Sequence, residues 1–381
     1  MDEAIPDRHR HRRDGRPHAG RGARVRRPVR SRPEPPGGSA LVRARALPAQ
    51  SWGGGIGRGA KPPSEVRIGV IGGSGLYELE GLTDVRWTKV RTPFGDPSDS
   101  YCVGRLGDRT VAFLPRHGRG HRLMPSELNF RANVYGFKAL GVEWVISISA
   151  VGSMREDIRP LDLVIPDQFF DWTRRRPSTF FGDGIVAHVG MADPVCSDLA
   201  DRLEAAARAT GATVHRGGTY LCIEGPQFSS KSESRIYRQW GVDVIGMTNM
   251  PEAKLAREAE LCYATLALTT DYDVWHESEE AVTVEAVIAN LLKNVATAKE
   301  VLQRVIPRIG PPRRCGCPLL LRNAVITNPS SFPPRTRKVL HLLLGKYFPS
   351  RQRRSPSPSP LPPRGERIKV RGARARRARR G

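Results

Sequence analysis

An apolar run at residues 262–268 breaks off into Thr269-Thr-Asp-Tyr-Asp273. The run reads as a buried strand. Open α/β sheets bind ligands just outside the carboxyl ends of their strands, so the two acids that follow narrow the choice of fold. Asp271 and Asp273 can accept hydrogen bonds from N–H groups there, and one of them can shuttle a proton. The same residues also read as a solvated acidic turn before a helix, so the rest of the chain has to decide.

The pattern recurs. Residues 66–71 read as a buried parallel strand running into Gly72-Gly-Ser-Gly75. Glycines there let the backbone approach an anion, and Ser74 adds a hydroxyl donor. The Gly-x-Gly-x-x-Gly dinucleotide spacing is absent, which favours a phosphate loop of another kind. Residues 101–106 and 110–114 form a hairpin around Gly107-Asp108, ending in Pro115-Arg-His-Gly-Arg-Gly-His121. That stretch suits an anion, or is a solvated basic loop. A strand at 142–149 ends in a small-residue turn, Ser149-Ala-Val-Gly152, and one at 242–247 ends in Thr248. Shorter strands fall at 162–166 and 218–223. Helices are expected at 125–140, 197–210 with Ser197 as N-cap, 231–240, 251–260, 283–305, 317–327 and 335–344. Residues 171–190 read as a polar loop holding Arg174-Arg-Arg176 and His188. Strands alternating with helices, with ligand groups at several strand ends, argue an α/β fold.

The net charge of +24 suggests nucleic acid or membrane until it is located. Residues 1–64 hold 15 Lys/Arg against 5 Asp/Glu, and residues 350–381 hold 12 against 1, so the middle, 35 against 32, is nearly neutral. Both ends are Arg-, Pro-, Gly- or Ser-rich and read as disordered basic tails flanking a domain at 65–349. RNA or membrane adhesion by residues 1–64 and nucleic-acid adhesion by residues 350–381 are weighed against accidental extension, which is favoured because the strand at 66 needs nothing before it and because the C-terminal tail lacks interleaved base-stacking aromatics. No apolar run reaches the roughly 18 residues of a membrane span. The N-terminus lacks the apolar core of a secretory signal, and its early acids argue against a transit peptide. Of six cysteines, four sit in apolar contexts and read as buried thiols in a reducing compartment. Cys315-Gly-Cys317 has one intervening residue where zinc knuckles use two, so no metal is expected, and the pair reads as two free thiols or a redox pair.

Gly69-Val-Ile-Gly-Gly-Ser-Gly-Leu76, Thr92-Pro-Phe-Gly95, Arg116-His-Gly-Arg119, Glu224-Gly-Pro-Gln-Phe-Ser-Ser230 and Thr270-Asp-Tyr-Asp-Val-Trp275 together resemble the S-methyl-5'-thioadenosine phosphorylases of the trimeric purine nucleoside phosphorylase family. The resemblance covers about residues 66–348. It implies a single mixed-sheet α/β domain flanked by helices, and a cytoplasmic homotrimer. It implies reversible phosphorolysis of S-methyl-5'-thioadenosine to adenine and 5-methylthioribose 1-phosphate, in purine and methionine salvage, with no cofactor beyond the co-substrate phosphate. Position by position, Ser74, Arg116, His117, Ser149, Ala150 and Thr248 match phosphate-binding residues. Met247 matches the residue under the ribose, and Phe228 and Ser229 the base pocket. Asp271 and Asp273 match the adenine-reading acids, and the intervening Tyr272 counts with the substrate residues. Val284 matches the methylthio pocket, with Val282 and Val287 on its stripe, and His188 matches a residue reaching a neighbouring subunit's site.

The chemistry follows from the reaction. Glycosidic cleavage builds positive charge on the sugar, which bound phosphate stabilises and then captures. The leaving adenine needs a proton at N7, assigned here to Asp271, with Asp273 accepting from the 6-amino group. The alternative inside the family is a 6-oxopurine nucleoside phosphorylase, whose site presents an Asn donor where this chain has Asp. The alternative outside it is a nucleic-acid-binding protein working through its tails.

Overall fold

The computed structural model describes residues 66–73, 75–276 and 284–349, with the backbone alone for 66, 67 and 284–287. Both basic tails, and with them their assignment as disordered, lie outside the described residues, as do Ser74 and Val282. Eleven strands form one mixed sheet: β1 Val66–Gly72, β2 Leu82–Thr88, β3 Tyr101–Leu106, β4 Arg109–Pro115, β5 Trp144–Ser153, β6 Leu163–Ile165, β7 Gln168–Trp172, β8 Val214–Arg216, β9 Thr219–Ile223, β10 Val244–Gly246 and β11 Cys262–Asp271. The helices are α1 Phe130–Ala139, α2 Ser197–Arg208, α3 Lys231–Gln239, α4 Asn249–Glu258, α5 Val284–Val305, α6 Pro334–Val339 and α7 His341–Leu344. The α/β class and the single mixed sheet are as expected. No described helix is long and apolar enough to cross a membrane.

The sheet runs β2-β3-β4-β1-β5-β10-β9-β7, with β11 also against β5 and leading to β6 and β8. β5 is the junction. Its first four residues pair with β1, ending at Ile71↔Ser147. Its last two pair antiparallel with β10, at Ile245↔Gly152 and Val244↔Ser153. β11 runs parallel to it from Cys262↔Trp144 to Asp271↔Gly152. Between Ser147 and Gly152 one edge of β5 therefore has no neighbouring strand, and a cleft opens there. The core lies in layers on the two sheet faces: Phe137, Leu255 and Leu343 belong to one cluster, and Leu199, Leu203, Val301 and Leu302 to the other.

Several boundaries differ from the sequence reading. Ser149–Gly152 is not a turn, because β5 continues through it. β2, β7 and β8 were not anticipated. β2 is mostly exposed and β7 alternates exposed with half-buried residues, so neither carries an apolar run. The helix expected at 125–140 is α only from Phe130, because the Asn129 side chain accepts from Ala132 N–H and caps a new start. The N-cap of α2 is Cys196, not Ser197. The helix expected at 317–327 is one 3-10 turn, Cys317–Leu319. Its next residues find a tertiary partner instead, since Leu321 N–H donates to Glu260 Oε1 at 2.9 Å. The segment 335–344 breaks into α6 and α7.

Candidate active site

A cavity of about 630 Å³ occupies the cleft. Its walls come from the carboxyl ends of β1, β4, β10 and β11, the open edge of β5, and Leu291 and Val295 of α5. Arg116, His117, Ser149, Ala150, Phe228, Ser229, Met247, Thr248, Asp271 and Asp273 all line it. Residues spread over 158 positions of sequence thus meet in one space. Gly73 lines it beside Ser74, which is outside the described residues. The backbone of Val284 begins α5, and its side chain is not described. Tyr272 is not in the lining. It is buried with its ring stacked on His276 at 4.6 Å, bracing the loop that follows β11. His188 is exposed and lies outside the cavity.

One end of the cavity is a set of hydroxyls and basic groups. Ser149 Oγ lies 3.0 Å from Tyr220 Oη and 3.1 Å from Thr248 Oγ1. Tyr220 was invisible from the sequence, sitting mid-strand among apolar residues. Its place depends on Gly246, where any Cβ would fall 1.9 Å from Tyr220 Oη. His117 Nδ1 donates to Leu123 O at 2.8 Å, which fixes the tautomer and leaves Nε2 as an acceptor. Burial pulls its imidazole down to about 4, and the Arg116 charge adds to the fall against the lift from the Leu123 bond, so the ring is neutral. Arg116 is 2% exposed, and its guanidinium turns inward. It donates to Glu252 at 3.0 and 3.1 Å, to Ile148 O at 2.7 Å and to Ser147 Oγ at 2.6 Å. Most of its fork is thus spent on the protein, and Glu252, unnoticed in the sequence, carries its counter-charge.

The two acids line the same cavity. Asp271 closes β11: its Oδ2 accepts from Thr270 Oγ1 at 2.6 Å and its Oδ1 from Asp273 N–H at 2.8 Å. Asp273 follows in the left-handed region, at φ 54°, and is buried. Its Oδ2, Ser229 Oγ and Ser234 Oγ have no hydrogen-bond partner among the described residues. Burial pushes the Asp273 carboxyl up, and the Asp271 charge adds to the rise. The nearby Ser234 and Ser229 hydroxyls and the Val274 amide offset only part of it, and the serines do so from outside hydrogen-bond geometry.

The frame around these groups was only partly legible. Arg176, read as part of a polar loop, is 8% exposed and donates to Met247 O and Met250 O, each at 2.7 Å. It holds the turn between β10 and α4 that presents Met247 and Thr248. Asn290 and Asn294 on α5 donate to Thr270 O and Thr269 O, each at 2.8 Å, and tie that helix to the end of β11. Two Asn four apart on one face of the expected helix were the available signal. Leu291 and Val295 extend the Val287 stripe at helical spacing into the cavity.

A family model described as the phosphorylase superfamily matches residues 67–307. The S-methyl-5'-thioadenosine phosphorylase of Geobacter sulfurreducens is 59% identical over 281 residues, 74% of this chain and 98% of that protein. That of Koribacter versatilis is 57% identical over 284 residues, 74% and 97%. Among solved structures, a methylthioadenosine phosphorylase from an antarctic soil metagenomic library is 50% identical. It covers 73% of this chain and 99% of its own, at a TM-score of 0.70. Methylthioadenosine phosphorylase from Schistosoma mansoni in complex with adenine is 36% identical, covering 68% and 99%, at a TM-score of 0.63.

Proposed function

The chain belongs to the phosphorylase superfamily, and we propose that it catalyses phosphorolysis of S-methyl-5'-thioadenosine, releasing adenine and 5-methylthioribose 1-phosphate. The observation that carries this reading is one cavity lined both by a cluster of hydroxyls and by two carboxyls, Asp273 buried and Asp271 half-buried. Relatives named for this activity match over nearly their whole length.

Phosphate binds at the hydroxyl end. Ser149 and Thr248 donate to its oxygens, and the Ser149–Ala150 backbone lies along the open edge of β5. Neutral His117 accepts at Nε2 from the hydroxyl of HPO₄²⁻, which turns the unprotonated oxygens toward C1'. The buried Arg116–Glu252 pair fixes the end of β4 against the middle of β5 beneath. As the glycosidic bond lengthens, the phosphate charge stabilises the cationic sugar and its oxygen then closes on C1'. Met247, Leu291 and Val295 give the sugar's 5' side an apolar wall, suited to a methylthio group.

At the base end we reverse the assignment made from sequence. Asp271 accepts from Thr270 Oγ1 and Asp273 N–H at the end of β11 and is assigned to accept from the 6-amino group. Asp273 is buried, raised in pKa and unpartnered at Oδ2, so it is the better reservoir for the N7 proton. After transfer Asp273 is the anion, and solvent reprotonates it as adenine leaves. Phe228 and Ser229 flank the base. No cofactor is required, since phosphate is the second substrate. The homotrimer and the cytoplasmic setting belong to the same proposal, with exposed His188 free to reach a neighbouring subunit.

The test is adenine release by the full chain from methylthioadenosine, with and without phosphate, beside methylthioinosine, adenosine and inosine. Phosphate-dependent release, fastest from methylthioadenosine, is expected. Cleavage of the 6-oxo nucleosides alone would transfer the reading to a 6-oxopurine phosphorylase.

A further inference from the structure

At the far end of β11 four cysteines from three separate segments converge. Cys196 is the N-cap of α2, Cys262 opens β11, and Cys315 and Cys317 follow α5. Their sulfurs all lie within 4.8 Å of one another, and the Cys262 and Cys315 sulfurs are 3.5 Å apart. None is in a disulfide. Three are buried and Cys315 is partly exposed.

We propose that these four thiols are a structural Zn²⁺ site. A tetrahedral ion about 2.3 Å from each sulfur requires sulfurs roughly 3.8 Å apart, which fits the observed span. Four soft thiolates at that spacing select zinc over hard cations and leave no open coordination position for chemistry. As each S–Zn bond forms, its thiol releases a proton to solvent, so loading releases up to four protons and leaves a site of net charge −2. The surroundings suit that charge. Cys196 sits at the positive end of the twelve-residue α2. Arg216, Arg257 and Arg314 line an adjoining cavity of about 520 Å³, together with Asp167 and Asp193. That cavity reaches Cys196, Cys315 and Cys317 and gives the ion a route in. Sequence spacing hid the site, because Cys315-Gly-Cys317 supplies only half of it and the other two ligands lie 53 or more residues upstream.

The ion would clamp the C-terminal segment and α2 onto the start of β11. Cys262 stands nine residues before Asp271, roughly 30 Å along an extended strand. The clamp therefore acts on stability rather than on the reaction.

The full chain, purified without added metal under reducing conditions, is assayed for zinc and iron, and its chelated form is titrated with Co²⁺. About one zinc per chain is expected, falling to near zero in Cys315→Ser/Cys317→Ser and kept in Cys102→Ala, whose cysteine lies outside the cluster. Cobalt should give the intense visible bands of a tetrahedral tetrathiolate. Methylthioadenosine turnover at 25 °C should change less than about twofold on metal loss, while Tm falls by several degrees. Zinc retained in the double variant, iron in its place, or no metal with four titratable thiols would each overturn the proposal. So would disulfides among the four in the protein as isolated.

Discussion

Gly152→Ala tests how closely the acid pair is held. Gly152 lies where β5, β10 and β11 meet, directly across from Asp271 in the ladder. Its backbone is not in the left-handed region, so the added methyl costs space alone. That methyl would stand 2.9 Å from Asp271 Oδ1, 3.2 Å from Ile245 Cγ2 and 3.4 Å from Asp273 Cβ. Asp271 is the neighbour with room to move, into the cavity, by about half an ångström. Oδ1 is also the atom that accepts from Asp273 N–H at 2.8 Å, so both acids shift together. Overpacking of this size costs roughly 1–3 kcal/mol of stability. Misplacing a reacting group by less than 1 Å accounts for a loss of up to about 10²-fold in rate. The expected variant is folded, with Tm a few degrees lower and kcat/KM for methylthioadenosine down by about 10²-fold. The loss should fall mainly in kcat, since the phosphate groups are untouched. Steady-state kinetics with a thermal melt on the same preparation decides. Unchanged kcat/KM in a folded variant would refute the claim that Asp271 and Asp273 act from these positions.

Asp273→Asn should cost roughly 10²–10⁴-fold in kcat through loss of the general acid. Burial raises the Asp273 pKa, so the wild type loses stability as pH rises through that raised value; Asn removes the loss. The variant should therefore melt as high as wild type or higher at pH 8, and the difference should vanish below pH ~4. His117 has the opposite dependence, its pKa lowered to about 4. Its contribution is complete above pH ~6.5 and is lost as pH falls toward 4, up to about 3 kcal/mol. Urea midpoints of wild type and His117→Gln should converge across that window. Glu252→Gln strands the buried Arg116 charge and weakens the acceptor of Tyr263 Oη, which donates at 2.8 Å. A destabilisation of about 3–5 kcal/mol is expected in equilibrium unfolding.

The parts legible in the sequence were those written in contiguous residues. Strand ends carrying Gly73, Arg116, His117, Thr248, Asp271 and Asp273 stood out because an apolar run stopped at glycine or at a polar group, and the fold brings all of these residues to one cavity. What stayed hidden depends on residues meeting across the chain. Tyr220 and Glu252 fall inside an expected strand and an expected helix, and nothing marks them until β9 and α4 bring them against Ser149 and Arg116. Arg176 read as loop charge because its backbone acceptors, on Met247, Met250, Ile223 and Glu224, lie 47 to 74 residues away. The roles within the acid pair depend on burial and on which oxygens already accept hydrogen bonds, and neither is written in the spacing Asp-Tyr-Asp. Edge strands β2 and β7 were missed because one-sided burial leaves no continuous apolar signal.

The central claim is that phosphate oxygen, not water, replaces adenine at C1'. Turnover of methylthioadenosine with phosphate labelled in all four oxygens by ¹⁸O, followed by mass analysis of the sugar product, tests this most directly. The account predicts 5-methylthioribose 1-phosphate retaining all four labels, in step with adenine release. Free methylthioribose carrying oxygen from solvent would contradict it and make the reaction a hydrolysis.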